Sequence, residues 1–261
     1  QSEVDDVTGN PLGMNTDLTF SGSTDTDFGT VSMSLATDGT FLGDSGADHT
    51  YSLATGLGTL SVANNGDAAN AVDDITPTAF EEANGSGSGS YTTDFGSGMD
   101  GSMSIAYSNS DILGTGISVK YSYYPRLDGT TNNEKAASGT ADETKDSAES
   151  INVGIPLSGV PGIGSTPLGG AKITLGYENS DSLATDAQSK QGGTVAVVMP
   201  IGALKVGYQK KGYQAAGSSA AEAQDGFFKD DILGIAYAVN DEMAVSYNVY
   251  QSDRHLHTSG E

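Results

Sequence analysis

The chain has no cysteine, few cations and no long apolar run, and each absence closes a class of function. Without cysteine there is neither a disulfide framework nor a thiolate metal site. Only 11 Lys and Arg stand against 34 Asp and Glu, a formal net charge of −23, so the chain lacks the basic stripe that phosphate contacts need and nucleic acid is excluded as a partner. No segment approaches the ~18 consecutive apolar residues that a membrane helix requires. No signal peptide is visible, and Gln1 is compatible with a mature or trimmed start. Hydrophobic residues make up 36% of the 261, below the usual share, while Gly numbers 36. A conventional core is thin on that composition. Two classes tolerate it: solvating acidic chains, and proteins that need apolar surface on only one side of each strand.

What the sequence does have is two-residue alternation. Leu18 and Phe20 alternate with Thr19 and Ser21, and Val31, Met33 and Leu35 return beside Ser32, Ser34 and Ala36. Tyr51 and Leu53, then Leu60 and Val62, repeat the hairpin. The same pattern recurs at Met103 to Tyr107, Ile117 to Tyr123, Ile151 to Ile155, Ile173 to Tyr177, Val195 to Met199, Leu204 to Tyr208, Leu233 to Tyr237 and Met243 to Val249. These are twelve strands in six hairpins, most near the 9–11 residues with which a tilted strand crosses a bilayer.

The connections alternate too. Short turns fall around 25–27, 55–57, 111–115, 200–202 and 240–241, with 156–170 the one long member of that set. Long polar loops span 37–49, 64–100, 125–148, 179–193 and 211–229. One end of the molecule is therefore plain and the other elaborate, as in a transmembrane antiparallel β-barrel. A β-sandwich or solenoid with one solvated face also accommodates alternation, but six hairpins with such unequal ends are foreign to it. Tyr107, Tyr123, Tyr177, Tyr208, Tyr237 and Tyr247 sit on the apolar phase near strand ends, where an interfacial aromatic belt belongs. The stretch of more than thirty acidic and Gly/Ser-rich residues after Val62 is too long for a structureless connection without a task.

Three segments resemble the Gram-negative general porins. Gly56-Leu-Gly-Thr-Leu-Ser-Val62 followed by Asn64-Asn-Gly-Asp-Ala-Ala-Asn-Ala-Val-Asp-Asp74 is similar to the Gly-rich strand and the start of the constriction loop. Asn15-Thr-Asp-Leu-Thr-Phe-Ser-Gly-Ser23 is similar to an early strand of that family, and Asp231 to Tyr247 to a late hairpin. The resemblance implies a single barrel domain over 1–261, a constriction-type loop at about 64–100 and assembly as a homotrimer. It further implies an outer membrane, with its lipid and lipopolysaccharide as surroundings. About 16 strands are expected where twelve are recognisable, so one strand before Gln1 and about three after Glu261 are expected beyond this sequence.

In such a pore the filter is electrostatic. Asp67, Asp73, Asp74, Glu81 and Glu82 are the acidic candidates on the loop; Lys120, Lys172 and Lys205, on the polar phase of their strands, and Arg126, just past a strand end, are the basic wall candidates. Carboxylates outnumber cations, so the expected cargo is ions and small polar solutes with a preference for cations. No cofactor is required. Calcium is a weak expectation at Asp38 and Asp44 and at Asp142 and Glu143, whose hard oxygens suit it but whose spacing matches no known calcium loop. His49, His255 and His257 read as loop residues without a third metal ligand. Asp94-Phe95-Gly96 matches a kinase tripeptide without its companion motifs, and no nucleophile with its base stands out, so the sequence reads as no enzyme. The competing reading is structural: an acidic, calcium-dependent surface-layer, adhesin or filament β-protein.

Overall fold

The computed structural model describes residues 18–37, 48–64, 68, 70–72, 75–78, 102–127, 145–182, 189–214 and 226–256. They form a single antiparallel sheet of twelve strands, each hydrogen-bonded to its neighbours in sequence. In chain order these are β1 (Leu18–Thr26), β2 (Gly29–Thr37), β3 (Asp48–Thr55), β4 (Gly58–Ala63), β5 (Ser104–Asn109), β6 (Ser118–Tyr124), β7 (Lys145–Pro156), β8 (Lys172–Ser182), β9 (Lys190–Ile201), β10 (Leu204–Gln214), β11 (Gly226–Asn240) and β12 (Met243–Leu256). Among the described residues β1 pairs only with β2 and β12 only with β11, so the sheet does not close on itself. Among the described residues no helix is long and apolar enough to cross a membrane.

The turns between strands are specified locally. At the β1–β2 turn the Thr26 hydroxyl donates to the Gly29 carbonyl (2.7 Å) and accepts from the Phe28 amide (3.3 Å). At the β3–β4 turn Thr55 does the same to Gly58 (2.9 Å) and Leu57 (3.1 Å). Both turns are Thr-x-x-Gly, and both glycines have positive φ, +141° and +124°, which a side chain would resist. Asn109 and Asn240 serve their turns by accepting from the amides two residues on, Asp111 (2.8 Å) and Glu242 (2.9 Å). The longer β7–β8 connection folds into two 3-10 turns, Leu157–Gly159 and Pro167–Gly170.

The twelve expected strands are all present, but several run further than their apolar alternation. β7 begins at Lys145, β8 continues to Ser182, β9 begins at Lys190, β10 ends at Gln214 and β11 begins at Gly226. These extensions carry Glu178, Ser180, Lys190, Lys211 and Asp230, which are polar yet buried. Ladder pairing continues there, Lys210 opposite Asp231 and Gly226 opposite Leu256, where the outward residues have ceased to be apolar. The histidine assignment is corrected for the same reason: His49 is in β3 opposite Leu35, and His255 is in β12 opposite Phe227. β4 and β5, at six residues each, are shorter than expected.

The two faces of the sheet invert the burial of a water-soluble protein. Outward lie Met33, Leu60, Tyr107, Leu175, Tyr208, Val245 and Tyr247, all exposed; on the other face Ala106, Ser122, Ser150, Ala196, Gln209 and Asp230 are buried. Along β12 the apolar phase runs Met243, Val245, Tyr247 and Val249, then gives way to Gln251 and Asp253. An uninterrupted apolar face of this extent is one that water does not tolerate, and no second sheet covers it among the described residues. The tyrosines sit at the borders of this face. Tyr107 donates to the Leu57 carbonyl (2.6 Å) at the short-turn end. Toward the long-loop end, Tyr121 donates to Glu149 Oε2 (3.1 Å) and Tyr208 to Asp231 Oδ1. Rings in the apolar band with hydroxyls directed to its polar edge are the arrangement of an interfacial aromatic belt.

Candidate functional site in the inner wall

The chemistry of the inner face begins where β4 ends. Asn64 closes the β3–β4 ladder: its side-chain Oδ1 accepts from the His49 amide (2.8 Å), and its own amide donates to the His49 carbonyl (3.3 Å). Beyond it the described parts of 64–78 lie across the polar face of the sheet. The Ala68 amide donates to Ser150 Oγ on β7 (3.0 Å), and Asn152 Nδ2 donates back to the Ala68 carbonyl. A single 3-10 turn, Asn70–Val72, follows. Gln209 on β10 then clasps the segment from both sides: Nε2 donates to the Val72 carbonyl (2.9 Å) and Oε1 accepts from the Ile75 amide (3.3 Å). The same Nε2 reaches Thr194 Oγ1 on β9 at 3.0 Å. Finally Asn248 Nδ2 on β12 donates to the Pro77 carbonyl (3.4 Å). The segment thus traverses the wall from β4 to β12, and Ala68, Val72, Thr76 and Pro77 are buried in doing so.

Nearer the long-loop end of the same wall is a row of buried charge. Lys190 Nζ on β9 lies 3.1 Å from Glu178 Oε1 on β8, and 5.6 Å from the centre of the Tyr213 ring. Lys211 on β10 stands opposite Asp230 on β11, whose Oδ2 accepts from the Tyr250 hydroxyl on β12 (2.7 Å). Glu178 and Asp230 are fully buried. Ions withdrawn from water to this degree persist only when paired and hydrogen-bonded.

The predicted basic residues are not gathered into one place. Lys120, opposite Asn152, lines a polar concavity toward the short-turn end with Thr59, Ser108, Asn109 and Ser118. Lys172, the first residue of β8, and Lys205, the second of β10, are exposed at the short-turn end, whereas Arg126 follows β6 at the opposite, long-loop end. Asp67, Asp73, Asp74, Glu81 and Glu82 lie outside the described residues, as do Asp38, Asp44, Asp142 and Glu143. Among the described residues no group of three or more His, Asp or Glu is placed to hold a metal.

The sequence reading passed over Glu178, Lys190, Gln209, Lys211 and Asp230. A signal was available. Lys172, Thr174, Gly176 and Glu178 keep one phase, and Lys190, Gly192, Thr194 and Ala196 keep another, so the period of two continues past the last apolar residue.

A twelve-stranded next-neighbour meander, apolar outside and polar inside, with short turns at one end and long loops at the other, has one counterpart among membrane architectures. The fold is that of an outer-membrane β-barrel wall. No family model matches the chain, and none of the curated proteins matches it in sequence. Solved structures do. One is the in-vitro folded OmpT, an outer membrane protein of Vibrio cholerae, in its trimer form: identity is 14%, coverage 93% of this chain and 87% of that one, and the TM-score 0.43. A second structure of OmpT from Vibrio cholerae shares 16% identity over 93% of this chain and 85% of that one, with a TM-score of 0.37. Both are described as outer membrane proteins and neither as a pore. The reading of the sequence as no enzyme is corrected: that no nucleophile with its base stands out in the residues excludes no catalysis.

Proposed function

We propose that the chain forms the wall of a water-filled pore in a bacterial outer membrane, through which ions and small hydrophilic solutes diffuse down their gradients. The observation that carries this reading is the course of 64–78 along the polar face, inside a sheet whose other face is apolar. A segment folded onto the inner wall narrows the lumen without blocking the membrane-facing side. Small, half-buried residues such as Ser32, Ser52 and Ser61 on that wall offer hydroxyls to water and leave room for it.

Cation preference follows from which charges are already spent. Lys190 and Lys211 are opposed by Glu178 and Asp230, so they add little net positive field. Asp67, Asp73 and Asp74 are chain neighbours of Ala68, Val72 and Ile75, which contact the wall or its clasp. In this reading they supply the acidic side of the passage, with Glu81 and Glu82 further along. Lys120, Lys172 and Lys205 are the basic side, and Arg126 a charge of the loop-end rim. Assembly as a homotrimer surrounded by outer-membrane lipid and lipopolysaccharide completes the proposal, as the resemblance to general porins implies; calcium is not required.

The test is conductance of the detergent-purified protein in a planar bilayer under a salt gradient. Stepwise openings with a cation-selective reversal potential are expected. Silence from folded protein excludes the pore.

A further inference from the structure

Three glycines on the inner wall have no backbone reason to be glycine. Gly176, Gly207 and Gly234 lie within β8, β10 and β11, and none has a positive φ. Glycine inside a strand weakens it unless another group must approach closely. Here that group is in each case the segment after β4. A Cβ on Gly176 would stand 2.5 Å from Val72 Cγ2, and one on Gly207 would run into Pro77 Cδ. On Gly234 it would meet the Pro77 carbonyl at 2.8 Å and Thr76 Cβ at 3.0 Å. All are tighter than a side chain tolerates. Gly22 in β1, on the outward face, would place a Cβ with nothing within 4 Å, and Gly154 in β7 is crowded by the Ser118 and Lys172 side chains of its neighbouring strands; among the described glycines it is at Gly176, Gly207 and Gly234 that the segment after β4 is the crowding group.

We propose that Gly176, Gly207 and Gly234 form a notched seat which, with Gln209 as its clasp, holds Val72 and residues 75–77 as a fixed strap against the wall, and that the depth of these notches sets the width left for solutes. The last clause rests on the pore reading; the seat does not. Hydrogen bonds alone leave a loop free to exchange its partners for water. Three notches at successive positions along the strap also fix its register and height, because Val72, Thr76 and Pro77 each occupy the volume of a missing side chain. The strap is then a permanent element of the wall, and no gate.

The absence of cysteine makes this directly testable. A Cβ on Gly176 would lie 3.7 Å from Val72 Cβ, within the 3.5–4.5 Å of a disulfide. In the full-length chain, oxidation of the Val72→Cys, Gly176→Cys variant should give a disulfide, read as two hydrogens lost by mass and as faster migration without reductant. Should that pair fail to fold by circular dichroism, Gly207→Ala is the second variant: its Cβ would run into Pro77 Cδ, so protease cleavage within 64–78 should quicken, while Gly22→Ala should leave it as it is. Val72→Cys with Gly22→Cys is the control in which no bond should form. Single-channel conductance of the cross-linked protein should be the same before and after reduction, while Gly207→Val should change conductance and Gly22→Val should leave it as it is. Either of two results overturns the seat: no disulfide in the folded pair (or, where it does not fold, cleavage unaltered by Gly207→Ala), or a conductance that rises severalfold on reduction, which would make the strap a moving part. Equal conductance in Gly207→Val and the wild type removes the claim about width. Disulfides in a protein that never conducts, wild type included, leave the seat standing and sink the pore.

Discussion

Strands β1 to β4 and strands β7 to β12 share one sheet and one alternation, yet their inner faces differ. β1 is exposed along nearly its whole length on both faces, and the inner face of the first half carries the hydroxyl pair of Ser32 and Ser52, 2.7 Å apart, and the Thr30 hydroxyl donating to Asp25 Oδ1 (2.7 Å). β8, β9, β10 and β11 carry Glu178, Lys190, Gln209 and Asp230, all buried. Their strands are 11 to 15 residues long against six to nine in the first half. Beyond Asn64, which bonds to His49, the segment after β4 hydrogen-bonds to β7, β10 and β12 through Ala68, Val72, Ile75 and Pro77. The alternation thus fixes which side of a strand meets lipid, while the length of the inward side chains decides whether the other side holds water or holds protein.

The sharpest way to break that contrast is to unpair a buried ion of the second half. In Lys190→Met, Glu178 keeps its charge and loses its partner at 3.1 Å. Removing one member of a buried pair costs about 3–5 kcal/mol, so a clear fall in the thermal midpoint is expected in detergent. Replacing both, as Glu178→Leu with Lys190→Met, should recover most of it, since an apolar pair of similar volume is often neutral. A midpoint unmoved by the single change would mean that this row of charge is bathed in water like the first half.

Gln209→Leu comes next. It removes the donor to Val72 and the acceptor for Ile75 together, leaving the buried Val72 carbonyl and the half-buried Ile75 amide without this partner. An unsatisfied buried group costs about 1–3 kcal/mol, so a loss of roughly 2–4 kcal/mol is expected in denaturant titration. Protease cleavage within 64–78 should quicken in parallel. Unaltered cleavage would show that the clasp is dispensable.

How much of this was legible in the residues follows from the same contrast. Period two placed all twelve strands and the polar residues around 25–27 and 55–57 marked their turns, because turn chemistry and side-chain direction are local. Strand ends were not legible wherever the outward residue turned polar, as at Asn179, Gln191, Lys210 and Asp231, since the ladder outlasts the apolar band. The basic wall was placed at Lys120, Lys172 and Lys205 by phase alone. Phase cannot tell an exposed rim lysine from Lys190 or Lys211, whose burial depends on carboxylates one strand away. The seat of the strap needed three strands at once, and a glycine without a positive φ has no signature in one.

A smaller effect is expected from Asp73→Asn with Asp74→Asn. A carboxylate ~8 Å from an ion in water contributes roughly 0.5 kcal/mol before screening, about twofold in local cation concentration. The double change should lower the cation-to-anion permeability ratio by about twofold to fourfold, read as a reversal potential nearer zero, and leave stability as it was. Unchanged reversal potentials would take both residues out of the filter.

The smallest effect should come from Ser32→Ala, and it bears most directly on the open half. The Ser32 hydroxyl pairs only with Ser52 among the hydrogen bonds found for it, and both side chains are half-exposed on the inner face of β2 and β3. If water bathes that face, it replaces the lost partner, and the change stays within about 0.5 kcal/mol, as for substitutions away from packed sites. If the face is packed, Ser52 is left with a buried, unsatisfied hydroxyl and the loss reaches about 1–3 kcal/mol. The same denaturant titration separates the two. A cost near the upper range would erase the difference between the halves and close the route for solutes past β2 and β3. A neutral result would place the wet side of the wall opposite the strap, where Ser32→Lys should then be accommodated and shift the permeability ratio toward anions.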